Sequence, residues 1–387
     1  MSSVEIAGIE AVGLDPARVE ALRVRARREV EEGLLPAVQI AVARNGRLAM
    51  FESFGTADST SLFCLFSATK AITSAAIWLL MQDGRLSVDE KVADVIPAFG
   101  SNGKESITVE QLLLHTAGFP AAPFKSLDWI NPTRRWERFS QWRLSWPPGS
   151  RFEYHPTSTM WALAEIIEQR SGIAFQQFIR ERICQPLDLL DLFVGLPERE
   201  NHRVVPCAMV GEPLTPADYQ RLGVPAPPVT EVTEDAILSF NDPAIRAVGV
   251  PGGGGITSAA QLALFYQALL HGGLDDSAAV WSRETLASAR RVRTGELRDP
   301  LFHKLVNRGL GIVIAGDESR SYRGFGKTNS PEAFGHNGAG GQLAWVDPAS
   351  GISLAYLTSG HDRNEIRQAR RGVAISSLAA VCAGEQV

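Results

Sequence analysis

The amino-acid sequence predicts an α/β fold of the α+β type, in which an antiparallel sheet is flanked by helices and interrupted by a mainly helical insertion. Segments of strand composition lie towards both ends of the chain, whereas residues 86–250 carry helical segments and proline-rich loops. We expect one core with an insertion. Residues 1–85 and 251–387 are expected to build an α/β domain with a central antiparallel sheet, and residues 86–250 an inserted helical domain.

Local patterns predict the first elements. Residues 15–32 begin with Asp-Pro and mix apolar with charged side chains, which is typical of a capped amphipathic helix that ends at Gly33. The Asn45-Gly46 pair between two apolar runs is a strong hairpin signal. Three strands are therefore expected here, at residues 38–43, 48–54 and 62–66.

A buried helix is expected over residues 68–81, because they are apolar on nearly every side and Gly84 follows them. Inside the insertion, helices are expected at residues 109–115, 159–169 and 175–184.

The C-terminal part begins with a glycine run at residues 252–255. Ser258 and Gln261 then form a capping-box pattern that opens a helix through Leu270. The remaining strands and the closing helix are expected at residues 309–314, 343–347, 352–358 and 364–381.

Composition excludes several partner classes. Hydrophobic residues make up 45% of the 387 residues and charged residues 21%, which is ordinary for a globular protein with a large core. The net charge of −5 supplies no positive field for nucleic acid or anionic lipid. The basic run at residues 23–28 is surrounded by glutamates and is interpreted as a solvated helix face. We expect no nucleic-acid partner.

No apolar stretch approaches the roughly 18 residues of a membrane span. Glu5 and Glu10 interrupt the region where a signal peptide needs an apolar segment. We therefore expect a cytoplasmic protein with no membrane partner. The four cysteines lack CxxC spacing and are expected to be buried free thiols: Cys64, Cys184, Cys207 and Cys382.

Two Ser-x-x-Lys patterns occur, at Ser67/Lys70 and at Ser101/Lys104, so the pattern alone does not identify a nucleophile. Ser101 lies in a polar, glycine-containing loop that is expected to fix no geometry. Ser67 lies where a strand leads into the buried helix, and its spacing from Lys70 puts both on one helix face.

A serine hydroxyl becomes a good nucleophile when a base removes its proton. A neutral lysine amine can do so if burial and the positive end of the helix dipole lower its pKa. The same helix start directs backbone N–H groups at a developing oxyanion. The alternative is an N-cap serine beside a surface lysine.

Two further segments carry candidate site residues. Residues 147–154 form a turn that leads to Tyr154, which could equally be a core aromatic. Residues 334–341 are rich in glycine and enter a strand. Glycines allow a ligand to approach the backbone closely, although a glycine-rich hairpin is an equal alternative.

Together and in this order, these segments resemble the class C β-lactamase, DD-peptidase and family VIII carboxylesterase superfamily over most of the chain. The matching features are Phe66-Ser67-Ala68-Thr69-Lys70, the Leu-Leu-Leu-His-Thr-Ala-Gly run at 112–118, Pro148-Gly149 before Tyr154, the run at 252–255, and His336-Asn337-Gly338 in place of Lys-Thr-Gly.

The resemblance implies roles for these residues. Ser67 would be the nucleophile, and Tyr154 would share general acid/base work with Lys70. The backbone N–H groups of Ser67 and Ala339 would form the oxyanion hole. His336, with its neighbours Asn337 and Gly338, would place the substrate.

One departure concerns substrate choice. Where peptide- and lactam-processing members have Tyr-x-Asn, this chain has Tyr154-His155-Pro156, and proline offers no side-chain hydrogen-bonding group. This favours the esterase branch. Residues 327–329 are a rival for the third motif but lack its glycine.

We therefore expect a serine hydrolase that cleaves small carboxylic esters through an acyl-enzyme, without metal or organic cofactor. Four alternatives stay open: a D-amino-acid amidase or peptidase, a β-lactamase, an acyltransferase, and a catalytically silent binding protein of the same fold. No G-x-S-x-G, H-E-x-x-H or G-x-G-x-x-G motif occurs. The sequence does not indicate an oligomeric state.

Overall fold

The computed structural model describes residues 5–223, 232–275 and 279–384. Its strands are β1 (Ala37–Arg44), β2 (Arg47–Gly55), β3 (Phe63–Cys64), β4 (Phe193–Val194), β5 (Ala208–Val210), β6 (Gly255–Thr257), β7 (Val313–Ile314), β8 (Phe334–Gly335), β9 (Leu343–Asp347), β10 (Ile352–Thr358) and β11 (Gly360–Asp362). Its α-helices are α1 (Pro16–Glu31), α2 (Thr69–Gln82), α3 (Val92–Val95), α4 (Val109–Leu113), α5 (Pro132–Gln141), α6 (Ser158–Ser171), α7 (Phe175–Ile179), α8 (Pro216–Leu222), α9 (Glu234–Leu238), α10 (Pro243–Val248), α11 (Ala259–His271), α12 (Arg283–Arg290) and α13 (Glu365–Ala380).

The principal sheet has six strands in the order β2-β1-β10-β9-β8-β7, and every neighbouring pair is antiparallel. The two ends of the chain meet in it, because β1 pairs with β10 from Val38 opposite Thr358 to Arg44 opposite Ile352. The predicted antiparallel sheet flanked by helices is confirmed.

Alternation along β1 explains why both faces of the sheet are covered. Val38, Ile40 and Val42 belong to a core shared with α1 and α13, whereas Ala41 and Ala43 belong to the core that contains α2 and α11. Successive side chains of a strand point to opposite faces, so a strand that is buried along nearly its whole length requires helices on both sides.

The predicted Asp15 cap and Asn45-Gly46 turn are present, whereas only the serine half of the capping box expected at Ser258 and Gln261 forms. The Asp15 carboxylate accepts hydrogen bonds from the N–H groups of Ala17 and Arg18 and so starts α1. Asn45 and Gly46 both have positive φ, 55° and 72°, as a type I′ hairpin between β1 and β2 requires.

Three predicted elements were too long. The strand expected at 62–66 is only β3, which pairs with β6 in a separate three-stranded sheet. Phe66 has φ 45°, so the chain turns there instead of extending. The helix expected at 109–115 ends at Leu113, and the strand expected at 309–314 is only β7. An apolar run does not by itself distinguish buried turns from strands.

The helices between residues 92 and 248 pack on the sheet-bearing part through α2, which contacts α6. The largest hydrophobic core runs through both parts without a break. The division into two domains stays a prediction. In the ranges the structure describes, no helix combines the length and the hydrophobicity that a membrane crossing needs.

Candidate active site

Ser67 lies in a tight 3-10 turn, Phe66–Ala68, immediately before α2. Phe66 adopts a left-handed conformation (φ 45°) that bulky residues rarely take, and it turns the chain sharply. The glycine run holds this turn, since the Leu65 N–H donates to Gly255 O at 2.8 Å and the Gly255 N–H donates to Thr69 Oγ1 at 2.8 Å. Ser67 is therefore presented at the head of a fixed helix.

Lys70 is fully buried beside Ser67. Its Nζ lies 3.2 Å from Ser67 Oγ, 2.7 Å from Pro156 O and 2.9 Å from Gly252 O. An ammonium would donate all three hydrogen bonds, and a neutral amine would donate to the two carbonyls and turn its lone pair to Ser67. The N-cap of α2 is Ala68, so the alternative of a capping serine beside a surface lysine is wrong.

Pro156 contributes through its backbone. Its side chain offers no hydrogen-bond donor or acceptor, as expected from the sequence. Its carbonyl accepts a hydrogen bond from Lys70 Nζ at 2.7 Å, shorter than those to Gly252 O and Ser67 Oγ. The position after Tyr154-His155 thus fixes the lysine.

Tyr154 lies beside both Lys70 and His115. Lys70 Nζ is 5.0 Å from the centre of the tyrosine ring, and the His115 and Tyr154 ring centres are 4.7 Å apart. Burial raises the pKa of the Tyr154 hydroxyl. The charge of Lys70, polar interactions with Lys70 and Ser67, and the charge of Arg308 outweigh burial, so the pKa lies below 10.

His115 holds the segment that carries Tyr154. Its Nδ1 accepts a hydrogen bond from the His155 N–H at 3.2 Å, and its carbonyl accepts one from the Glu153 N–H at 3.2 Å. Burial lowers the pKa of His115 well below 6.5, and Arg308 adds to the effect, so the ring is neutral. His115 belongs to the family-like run at 112–118, but no local pattern in the sequence predicts its contact with Tyr154.

His336 is also buried and neutral. Its Nδ1 donates to Asn337 O at 2.7 Å, so the proton sits on Nδ1 and Nε2 is an acceptor. Burial, then the charges of Arg308 and Lys70, lower its pKa well below 6.5. Its ring centre lies 6.1 Å from that of Tyr154.

Gly338 brings the segment at residues 334–341 against the turn that carries Ser67. A Cβ at this position would lie 2.2 Å from Leu65 O, so only glycine permits the approach. Ala339 follows and opens the 3-10 turn Ala339–Gly341. N–H groups in the first turn of a helix have no intrahelical acceptor, and Ser67 and Ala339 both occupy such positions on one cavity.

That cavity has a volume of about 210 Å³. Among the described residues its lining carries no charged side chain, and aromatic rings form much of its wall: Phe66, Phe124, Trp161 and Phe240. Trp161 is the tryptophan in this lining, and the tryptophans at 129, 136, 142 and 146 lie outside it. His336, Asn337 and Gly338 do not line this cavity, and His336 reaches the site beside Tyr154.

The second Ser-x-x-Lys pattern is ordered. Lys104 Nζ donates to Ser101 O and Trp142 O at 2.7 Å each, and Ser101 Oγ donates to Ser140 O at 2.9 Å. The expectation that this loop fixes no geometry was wrong. Neither Ser101 nor Lys104 lines the cavity at Ser67, however, and the lysine ties the loop to α5.

Residues 22–379 match the model of a protein family described as Beta-lactamase. The chain belongs to the beta-lactamase family. The resemblance inferred from the motifs is thereby confirmed, and the chain is a serine hydrolase of this family.

Relatives of this family member agree with that placement. An esterase/beta-lactamase of Mycobacterium tuberculosis is 28% identical over 319 residues, which cover 78% of this chain and 70% of that protein. The crystal structure of a penicillin-binding protein homologue from Caulobacter crescentus matches with a TM-score of 0.77 and 29% identity, covering 96% of this chain and 99% of the other. A family VIII carboxylesterase structure shares the fold at a TM-score of 0.77 and 24% identity, covering 98% and 100%.

Sequence reasoning missed three contributors within this beta-lactamase-family site. Two are the backbone carbonyls of Pro156 and Gly252. Every residue has such a carbonyl, so the residue type does not show that it is used. The third is Arg308, which lies in an apolar segment with no motif around it. Only its charge, unusual in such a segment, could have marked it.

Proposed function

We propose that the chain is a carboxylesterase that forms an acyl-enzyme on Ser67. The observation that supports this most is the placing of Ser67 Oγ 3.2 Å from Lys70 Nζ, beside the buried Tyr154, at the wall of an uncharged cavity. A nucleophile, a proton carrier and an apolar acyl pocket are what ester cleavage requires.

In the proposed reaction, Ser67 Oγ attacks the ester carbonyl while its proton passes to the Tyr154–Lys70 pair. The N–H groups of Ser67 and Ala339 stabilise the oxyanion. The C–O bond to the alcohol breaks, and the alcohol leaves with the proton that the pair held. Water then repeats the sequence on the acyl-enzyme and releases the acid.

The lack of charged side chains in the described lining of the cavity favours an ester over a penicillin or a peptide C-terminus. Both of those substrates carry a carboxylate, and the described lining of the cavity offers no cation to pair with it. His336, at the position of the lysine of Lys-Thr-Gly, is neutral and presents an acceptor nitrogen. The name of the Mycobacterium tuberculosis relative combines both activities. A cytoplasmic location stays a prediction.

The test compares p-nitrophenyl acetate and butyrate, the matched p-nitroanilides and a chromogenic cephalosporin, using wild type and Ser67→Ala. We expect ester turnover that Ser67→Ala loses, with little turnover of the anilide or the lactam. Ester turnover that survives Ser67→Ala refutes the proposal. Cephalosporin or anilide turnover in excess of ester turnover moves the assignment to a β-lactamase or an amidase, and transfer to an added alcohol to an acyltransferase. Failure of a fluorophosphonate to label Ser67 would support the binding-protein alternative.

A further inference from the structure

Arg308 is a buried cation behind the proposed proton carrier. It is 2% exposed, and its guanidinium carbon lies 5.4 Å from the centre of the Phe152 ring and 5.7 Å from that of the Tyr154 ring. Its Nη1 has no hydrogen-bond partner in the described part of the chain. A guanidinium is normally buried only with a carboxylate or a full set of acceptors.

The acids nearest to Arg308 are occupied elsewhere. Asp299 pairs with Arg323, and Asp317 accepts hydrogen bonds from the N–H groups of Asn307 and Ser319. Both raise the pKa of Arg308 only at a distance, and burial lowers it to about 9. Arg308 therefore stays charged at neutral pH, against an aromatic ring and, within the described ranges of the chain, with no anion in contact.

We propose that Arg308 is a positioning residue whose buried guanidinium, against the ring of Tyr154, stabilises the phenolate that takes the Ser67 proton. This inference rests on the proposed function, because it assigns that proton transfer to Tyr154. The missing anion is then the phenolate itself, which exists only while Tyr154 is deprotonated.

The other groups around Tyr154 do not replace the positive charge of Arg308. Three histidines surround it, His115, His155 and His336, and burial lowers the pKa of each, so all are neutral. Among the residues that the structure describes, Lys70 on α2 is the other cation against the Tyr154 ring. The charge of Arg323 lowers the pKa values of Arg308 and His336, and Arg323 is itself paired with Asp299.

Removing the charge of Arg308 should raise the pKa of Tyr154. The guanidinium carbon lies 5.7 Å from the centre of the Tyr154 ring. At about that distance and an effective dielectric constant of about 20, a unit charge shifts a pKa by roughly 1 to 2 units. At neutral pH the fraction of Tyr154 in the phenolate form then falls about 10- to 100-fold. We expect kcat/KM to fall about 10- to 100-fold at pH 7 in Arg308→Met and to recover as the pH rises.

The experiment measures the pH profile of kcat/KM for p-nitrophenyl butyrate in wild type, Arg308→Met and the charge-retaining Arg308→Lys. We expect the ascending limb to move to higher pH in Arg308→Met and to stay near its wild-type position in Arg308→Lys. Superimposable wild-type and Arg308→Met profiles overturn the inference, as does an equal loss at every pH. Arg308→Gln is a second neutral variant if Arg308→Met does not fold.

A second readout does not depend on turnover. The tyrosinate absorbance of each protein, minus that of its Tyr154→Phe partner, reports the ionisation of Tyr154 alone. We expect this titration to shift upwards in Arg308→Met, and an unshifted titration contradicts the inference. If Ser67→Ala keeps ester turnover, the proposed function fails, while this titration still decides whether Arg308 lowers the pKa of Tyr154. If turnover needs Ser67 but neither the profile nor the titration moves, only the Arg308 inference fails.

Discussion

Replacing Gly338 by alanine is expected to slow ester turnover about 100-fold while the rest of the protein stays folded. The new Cβ would lie 2.2 Å from Leu65 O, a backbone atom that cannot rotate away. Ordinary contact requires about 1 Å more, so the segment before Ser67 and the segment that carries Ala339 must move apart by that amount. These segments carry the two proposed oxyanion donors, and a displacement of about 1 Å at a reacting centre costs about 100-fold in rate.

The assay is kcat and KM for p-nitrophenyl butyrate, with urea unfolding alongside. We expect most of the loss to appear in kcat, because the displaced donors act on the transition state. Urea unfolding is expected to show about 1–3 kcal/mol of lost stability from overpacking. Gly372→Ala is the matched control. Its Cβ would meet Leu343 Cδ2 at an ordinary 3.5 Å inside α13, so activity is expected to stay unchanged. A Gly338→Ala enzyme with wild-type kcat would refute this reasoning.

Two more predictions follow from burial and from the cavity. Three histidines, His115, His155 and His336, have folded-state pKa values below the unfolded value of 6.5, with His155 at about 4. The unfolded chain therefore binds more protons below pH 6.5, and the free energy of unfolding is expected to fall with acidification by up to about 4 kcal/mol per pH unit between pH 6 and 4. Urea unfolding at several pH values measures this, and a stability that is flat across that window contradicts it. Phe240→Ala removes a ring from the cavity wall and is expected to raise kcat/KM for octanoate relative to acetate esters. An unchanged ratio in a chain-length series would count against this cavity as the acyl pocket.

Elements set by neighbouring residues could be predicted from the sequence. The Asp15 cap, the Asn45-Gly46 hairpin and the closing helix after Asn364 are present where their local signals placed them. Each depends on contacts within a few residues, so the signal and the structure coincide. Predictions failed where tertiary contacts override local preference, as at Phe66, whose left-handed turn replaces the end of a predicted strand.

The same division holds for the site. Ser67 and Lys70 could be paired from the sequence because residues three positions apart at the start of a helix lie on the same face. The places of Tyr154 and His336 came from the family resemblance, and their protonation could not be predicted, since it depends on burial.

The sequence by itself therefore determined the hairpin, the capped helices, the pairing of Ser67 with Lys70, and the family. Only the tertiary structure decided what surrounds that pair. The Lys70 acceptors lie 86 and 182 positions along the chain, at Pro156 and Gly252, and both are backbone carbonyls. Arg308 became a neighbour of Tyr154 through packing that no local pattern records. The physical reason is that backbone acceptors and buried charges take their roles from long-range packing, whereas caps, turns and helix faces are determined by residues close in sequence.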